Sequence, residues 1–177
     1  RAPLDAVLRY VAHVMPPPMP VLPPGARWLC RKKDLFILVV EHPPQCRTLR
    51  VSRGKKGEDD YHPYLLAFPD VIYVLTFYRD GVEEMKMFFR NSSLSSPTDT
   101  LYHTNLPNVR GEPGHYGSQR VCLRYRPEML EGVPLAEAVP ALLEFFWSTG
   151  FNQDIANSAF GRARERDPRF ASLEAWE

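Results

Sequence analysis

The sequence predicts an α+β domain, and three observations carry the prediction. Apolar residues near the N-terminus repeat at helical spacing, a long central stretch alternates in strand fashion between short turns, and helical spacing returns after residue 134. A chain of 177 residues fits one domain, taken here as residues 1–177, and is long enough to bury a core without help from metal or disulfides.

Leu4, Val7, Leu8 and Val11 fall on one helical face, and Pro3 suits a first turn, so residues 3–14 read as a short amphipathic helix. Pro16-Pro17-Pro18 ends it. The prolines from Pro16 to Pro24, among 18 in the chain, read as a stiff extended connector, with recognition by a proline-binding partner as the other use. DLFILVV (34–40) and CRTLRVS (46–52) are β-rich runs, separated by Glu41-His42-Pro43-Pro44-Gln45, a connection expected to continue neither. VIYVLTFY (71–78) and EEMKMFF (83–89) flank Arg79-Asp80-Gly81-Val82, where Asp-Gly supplies the positive φ of a tight hairpin. Met85, Met87 and Phe89 alternate with Glu84, Lys86 and Phe88, so one face is expected in a core and the other largely in water. These four runs make an antiparallel meander. Pro63 and Pro69 bracket YLLAF, read as the approach to the third strand.

After residue 90 the chain reads as irregular for some thirty positions, a length more often functional than idle. Leu135, Val139, Leu142, Leu143 and Phe146 then keep helical spacing, so 134–148 is a helix, with Pro134 in its first turn and Pro140 marking a kink or restart. Phe145-Phe146-Trp147 reads as core and helix-end packing. Residues 152–177, polar with scattered Ile155, Phe160, Phe170, Leu173 and Trp176, read as one or two short helices closing the far side.

With 22 Lys+Arg against 21 Asp+Glu the net charge is +1, and no basic stripe announces nucleic acid. The densest basic stretch, Arg53-Gly54-Lys55-Lys56-Gly57, is cancelled by Glu58-Asp59-Asp60 and reads as a solvated loop. Nothing approaches the ~18 consecutive apolar residues of a membrane span. Cys30, Cys46 and Cys122 are odd in number and widely spaced, which argues against a disulfide framework or a metal finger and for a reducing, cytoplasmic address. The chain opens on Arg rather than Met, as a fragment or processed chain would.

Cys30 and Cys46 sit in strand-like runs and read as buried small hydrophobes. Cys122 differs. It follows a turn containing Gly111, Pro113, Gly114 and Gly117, and Arg124, Arg126 and Pro127 stop its strand, so its thiol is expected at the surface. Arg120, Arg124 and Arg126 lie close in sequence, and neighbouring cations favour the thiolate that a nucleophile requires. Asn108 offers a carboxamide N–H for a developing oxyanion, if the loop folds back. Pro107-Asn108 is also ordinary turn chemistry.

An N-terminal helix, a four-stranded antiparallel meander, a Pro-Asn turn, a long active-site loop, a cysteine in a VCL setting and C-terminal helices together resemble the ubiquitin-conjugating enzyme family. The motifs are Leu106-Pro107-Asn108-Val109 and Val121-Cys122-Leu123, and with FFRNSSL and FFWSTGFN (145–152) the likeness is greatest to the divergent prokaryotic branch. The resemblance implies a bacterial transferase in which Cys122 accepts a ubiquitin-like protein as a thioester from an activating enzyme and passes it to an amine. It also implies that helix 3–14 docks the activating enzyme, and that the transfers use no cofactor or metal, nucleic acid or membrane. Three departures stand out. Leu106 replaces the family's histidine, fourteen positions separate Asn108 from Cys122, and Arg124 stands where many members have aspartate. His115, in the inserted segment, and His103 are the candidate bases. Two rivals remain: an inactive module that keeps the fold for binding, and a cysteine hydrolase pairing Cys122 with His115 or His103.

Overall fold

The computed structural model describes residues 21–52, 60–78, 81–110, 119–122, 132–152, 160, 164, 165 and 167–177. Among the described residues there are nine strands: β1 (Ala26–Lys32), β2 (Leu35–His42), β3 (Gln45–Ser52), β4 (Tyr61–Phe68), β5 (Asp70–Tyr78), β6 (Gly81–Arg90), β7 (Tyr102–His103), β8 (Val109–Arg110) and β9 (Arg120–Val121). Among the described residues α1 (Leu135–Ser148) and the four-residue α2 (Leu173–Trp176) follow, with a 3-10 turn at Pro168–Phe170 between them. One antiparallel sheet runs β1-β2-β5-β6-β9-β8, with β7 also on β6, and a second sheet is the β3–β4 hairpin.

The two sheets are one long hairpin bent in the middle. β2 pairs with β5 from Leu35↔Tyr78 to His42↔Val71, and β3 pairs with β4 from Gln45↔Phe68 to Ser52↔Tyr61. Three residues on from His42, Gln45 faces Phe68, three residues back from Val71, so the register passes the corner without a slip. Pro43 and Pro44 on one arm and Pro69 on the other supply no backbone N–H at the corner, which lets the arms leave the first sheet together. Gly25 closes the entry to β1 at φ +79°, where a Cβ would lie 2.3 Å from the Glu41 carbonyl oxygen.

The core lies inside the bend. Leu38, Val40, Val71, Tyr73, Leu75, Met85 and Met87 from the large sheet meet Leu49, Val51, Tyr64, Leu66 and Phe68 from the hairpin. Helix α1 lies over them with Val139, Leu142, Leu143, Phe146 and Trp147 buried, each large side chain contributing about 1.5–3 kcal/mol. Trp147 Nε1 donates to the buried Tyr73 hydroxyl at 2.7 Å, and Arg47 stacks over the indole at 5.0 Å while reaching Glu144 at 3.1 Å. Burial holds the Tyr73 hydroxyl well above the usual phenol range. Pro140 is on the exposed side of α1, and the helix runs through it as one element. On the other face of the sheet, Ile72, Phe88 and Leu94 make a small cluster bordered by Trp28, Val39, Val74 and Leu101.

The expected fold class is therefore corrected. The described residues are mainly antiparallel β-sheet with two helices, where the sequence reading expected an α+β domain of the ubiquitin-conjugating type, framed by N-terminal and C-terminal helices. Three physical reasons account for the difference. The 34–40 and 46–52 runs do not pair with each other, because Pro43-Pro44 bends one arm instead of reversing it. YLLAF belongs to β4, a full strand with CRTLRVS as its partner. Part of the supposedly irregular stretch after residue 90 folds back as β7, β8 and β9 and extends the sheet. Helix 3–14 lies outside the described residues, as do 153–159, 161–163 and 166 in the segment following Asn152.

Candidate functional site

Leu106, just before the Pro-Asn turn, is fully buried in the main core and anchors the turn from beneath. Asn108 then adopts φ +62°, the left-handed region in which Asn is among the few non-glycine residues tolerated. That turn starts β8, and β8 pairs with β9 at Val109↔Val121 and Arg110↔Arg120. One step further in the same register, the Cys122 backbone N–H donates to the Asn108 carbonyl at 2.7 Å. The fourteen-residue separation thus closes a ribbon that sets Asn108 directly across from Cys122.

The ribbon is laid on the sheet by Lys86↔Arg120 and by Met87 N–H, which donates to Gln119 O at 3.0 Å. Gln119 is fully buried, and its Oε1 accepts from Thr104 N (2.7 Å) and Thr104 Oγ1 (3.0 Å), tying the approach to the turn to the strand bearing the cysteine. Val121 faces the core and Cys122, the next residue, is exposed, as strand alternation requires.

The Asn108 side chain reaches a third segment. Its Nδ2 donates to Gly150 O at 3.1 Å, and its Oδ1 accepts from Asn152 N at 3.1 Å. Residues 149–152 leave α1 with Thr149 N–H still bonded to Phe145 O at 3.1 Å, after which Phe151, fully buried, bridges to β3. Ser52 N donates to Phe151 O and Phe151 N to Arg50 O, both at 2.8 Å. Gly150 lies against Tyr61, where a Cβ would stand 2.3 Å from ring atom Cε1, and Arg50 covers the same ring at 5.2 Å. The Pro-Asn turn, the cysteine strand and the STGFN turn thus meet at one point, although they lie far apart in the chain.

His103 is on β7 opposite Phe88, whereas Arg120 is opposite Lys86 and Cys122 lies further the same way. Four residues along β6, about 13 Å at strand rise, separate the two, beyond the reach of a thiol–imidazole hydrogen bond. His115, Arg124 and Arg126 lie outside the described residues. Cys30 and Cys46 are in strands as expected but are exposed, a correction to their reading as buried hydrophobes: β1 is an edge strand, and Cys46 is on the outward side of β3. No group of three or more His, Cys, Asp or Glu among the described residues is arranged to hold a metal ion, and no described helix is long and apolar enough to cross a membrane.

No family model, curated protein or solved structure matches the chain. The sequence reading missed the partner of Asn108. Its signal was present in Gly150-Phe151-Asn152 after a helix, a turn whose glycine and asparagine call for a backbone or carboxamide contact.

Proposed function

We propose that the protein is a cysteine-dependent transferase that accepts a ubiquitin-like protein as a thioester on Cys122 from an activating enzyme and transfers it to an amine. The observation that carries the reading is an exposed thiol at a strand end whose own backbone N–H is fixed by the Asn108 carbonyl. A nucleophile so held keeps its position while its sulfur is reached from outside. In loading, the Cys122 thiolate attacks the thioester carbonyl on the activating enzyme and that enzyme's thiolate leaves. In discharge, the amine nitrogen attacks the new thioester, loses a proton, and releases Cys122. Of the two hydrogens on Asn108 Nδ2, one is given to Gly150 O, and the second is the donor proposed for the oxyanion in both steps. His115 as base and residues 3–14 as the activating-enzyme surface rest on the sequence resemblance.

With ubiquitin-like protein, activating enzyme and ATP, the chain should form an adduct cleaved by thiol reductant. Cys122→Ser should give a slower-forming, reductant-resistant oxyester, while Cys30→Ser and Cys46→Ser still load. Loading that persists in Cys122→Ala overturns the assignment. One observation favours a second reading, a binding module without chemistry: the Asn108 carboxamide is engaged by Gly150 and Asn152, as a purely structural turn would have it. Absence of any Cys122 adduct with a cognate activating enzyme selects that reading.

A further inference from the structure

We propose that Lys86, Arg120 and Arg110 form a cationic row that docks an acidic polypeptide segment beside Cys122. The register assembles the row from three strands. Lys86 of β6 is opposite Arg120 of β9, and Arg120 is in turn opposite Arg110 of β8. Directly opposed residues of an antiparallel ladder project from the same face, so the three side chains stand side by side, about 5 Å apart at Cβ. Val109 and Val121, one position along, are buried in the core, which puts the row on the outward face. Arg110 and Arg120 are exposed, and the Lys86 side chain is 25% accessible. Cys122 is two residues beyond Arg120 on that same face, about 7 Å along the strand.

Like charges directly opposite one another destabilise a ladder, so three cations in one row call for anions between them. The described residues supply little. Glu84, two positions from Lys86 on β6, pairs with it at 3.3 Å, and among the described residues no carboxylate pairs with the Arg120 guanidinium. On the far side of Lys86 the row meets Val74, and Phe88 follows on β6, so the charge ends at an apolar border. That extent fits a short ligand. Nucleic acid is held by a broad positive field, which a row of three cations in a chain of net charge +1 does not provide. An acidic segment needs only two or three carboxylates. Alternate residues of an extended chain are about 7 Å apart, within reach of neighbouring long cationic side chains, and a guanidinium takes a carboxylate through two parallel N–H bonds. A segment so held runs past the exposed sulfur. The surface does not depend on the transfer chemistry, because Cys122 enters only as the exposed thiol beside it.

The test uses the full chain with Cys30→Ser and Cys46→Ser, which leaves Cys122 as its thiol, and two synthetic peptides that each carry one cysteine as a thiopyridyl disulfide. Glutamates flank the cysteine in one peptide and lysines in the other. The Cys122 thiolate attacks the peptide sulfur, a mixed disulfide forms and thiopyridone leaves, so absorbance gives the rate. The glutamate peptide should react at least about tenfold faster at low salt, and the ratio should fall as salt is raised. Intrinsic reactivity of the thiol acts on both peptides alike and cancels in the ratio. Arg120→Gln should give the largest single drop, and Lys86→Gln, Arg110→Gln and Arg120→Gln together should bring the ratio close to one. Equal rates for the two peptides with the row intact overturn the proposal, as does a preference that survives the triple change. A thymidine oligonucleotide with the same disulfide and the same number of charges should react more slowly than the glutamate peptide; a faster reaction overturns the polypeptide assignment in favour of phosphate.

Discussion

Replacing Asn108 by alanine should destabilise the fold by roughly 2–4 kcal/mol, and the structure divides that figure into two parts. At φ +62° an L-residue with an ordinary side chain carries a strain of about 1 kcal/mol, which asparagine escapes in part and glycine wholly. The rest comes from Gly150 C=O and Asn152 N–H, which lose their carboxamide partner in a half-covered site, at ~1–3 kcal/mol for the pair. Asn108→Gly therefore keeps the second loss and removes the first, and should be more stable than Asn108→Ala by about 1 kcal/mol. Asn108→Asp retains the acceptor for Asn152 N–H but turns an oxygen toward Gly150 O, so it should fall near or below alanine. Urea unfolding read by tryptophan fluorescence gives the differences directly, and at this chain length 1 kcal/mol corresponds to about 2–4 °C in Tm. Equal destabilisation by alanine and glycine would refute the backbone part. A loss under about 0.5 kcal/mol in Asn108→Ala would refute the hydrogen-bond part.

Gly150→Ala should cost ~1–3 kcal/mol by driving a methyl into the Tyr61 ring, and the penalty should shrink in a Tyr61→Ala background; full additivity in the denaturation cycle would remove the contact as its cause. Asp70, buried beside Glu41, has its carboxyl pushed up first by desolvation and then by the Glu41 charge and hydrogen bond. A raised folded-state value means this group favours folding most when protonated, so its contribution is full below the ordinary Asp range and is lost as pH rises through the folded value. Asp70→Asn should then gain stability over wild type as pH climbs through that window, and a gain independent of pH in paired denaturation series would exclude the linkage. All three thiols should react with a small disulfide reagent in the native state, since Cys30, Cys46 and Cys122 are each exposed; an equivalent released only on unfolding would contradict that placement.

The legible parts of the fold were those set by near neighbours. Asp80-Gly81 between two alternating runs announced the β5–β6 hairpin, and Met85 and Met87 are on its core face as their spacing required. The apolar stripe from Leu135 to Phe146 likewise became α1. Prolines misled where their effect depends on the partner strand. Pro43-Pro44 looked like an end to pairing, yet two strands that turn a corner together lose no register. YLLAF, bracketed by Pro63 and Pro69, read as an approach to the third strand, yet it is part of β4, because a proline whose nitrogen faces outward at an edge removes no ladder bond. Cys30 and Cys46 were misplaced for a related reason. A strand-like run indicates a strand but not which of its faces or edges is wet, and that is decided by strands distant in sequence.

At the candidate site, legibility stopped at the same boundary. The turn around Asn108 and the exposed cysteine could be read locally, but the bond to Gly150 spans 42 positions and depends on α1, Phe151 and β3 being in place first. That dependence bears on the chemistry. The group that fixes Cys122 is the Asn108 backbone carbonyl, not its side chain, so any residue able to adopt φ +62° keeps the cysteine where it is. Glycine does so, and Asn108→Gly therefore leaves the thiol placed while removing the carboxamide. An oxyanion donor is worth about 3 kcal/mol at the transition state, or roughly a hundredfold in rate. A hundredfold slower discharge from a folded, fully loaded Asn108→Gly would assign the second Nδ2 hydrogen to catalysis. Discharge at the wild-type rate would leave Asn108 as the joint that holds the cysteine strand to the STGFN turn, with the oxyanion met by another donor.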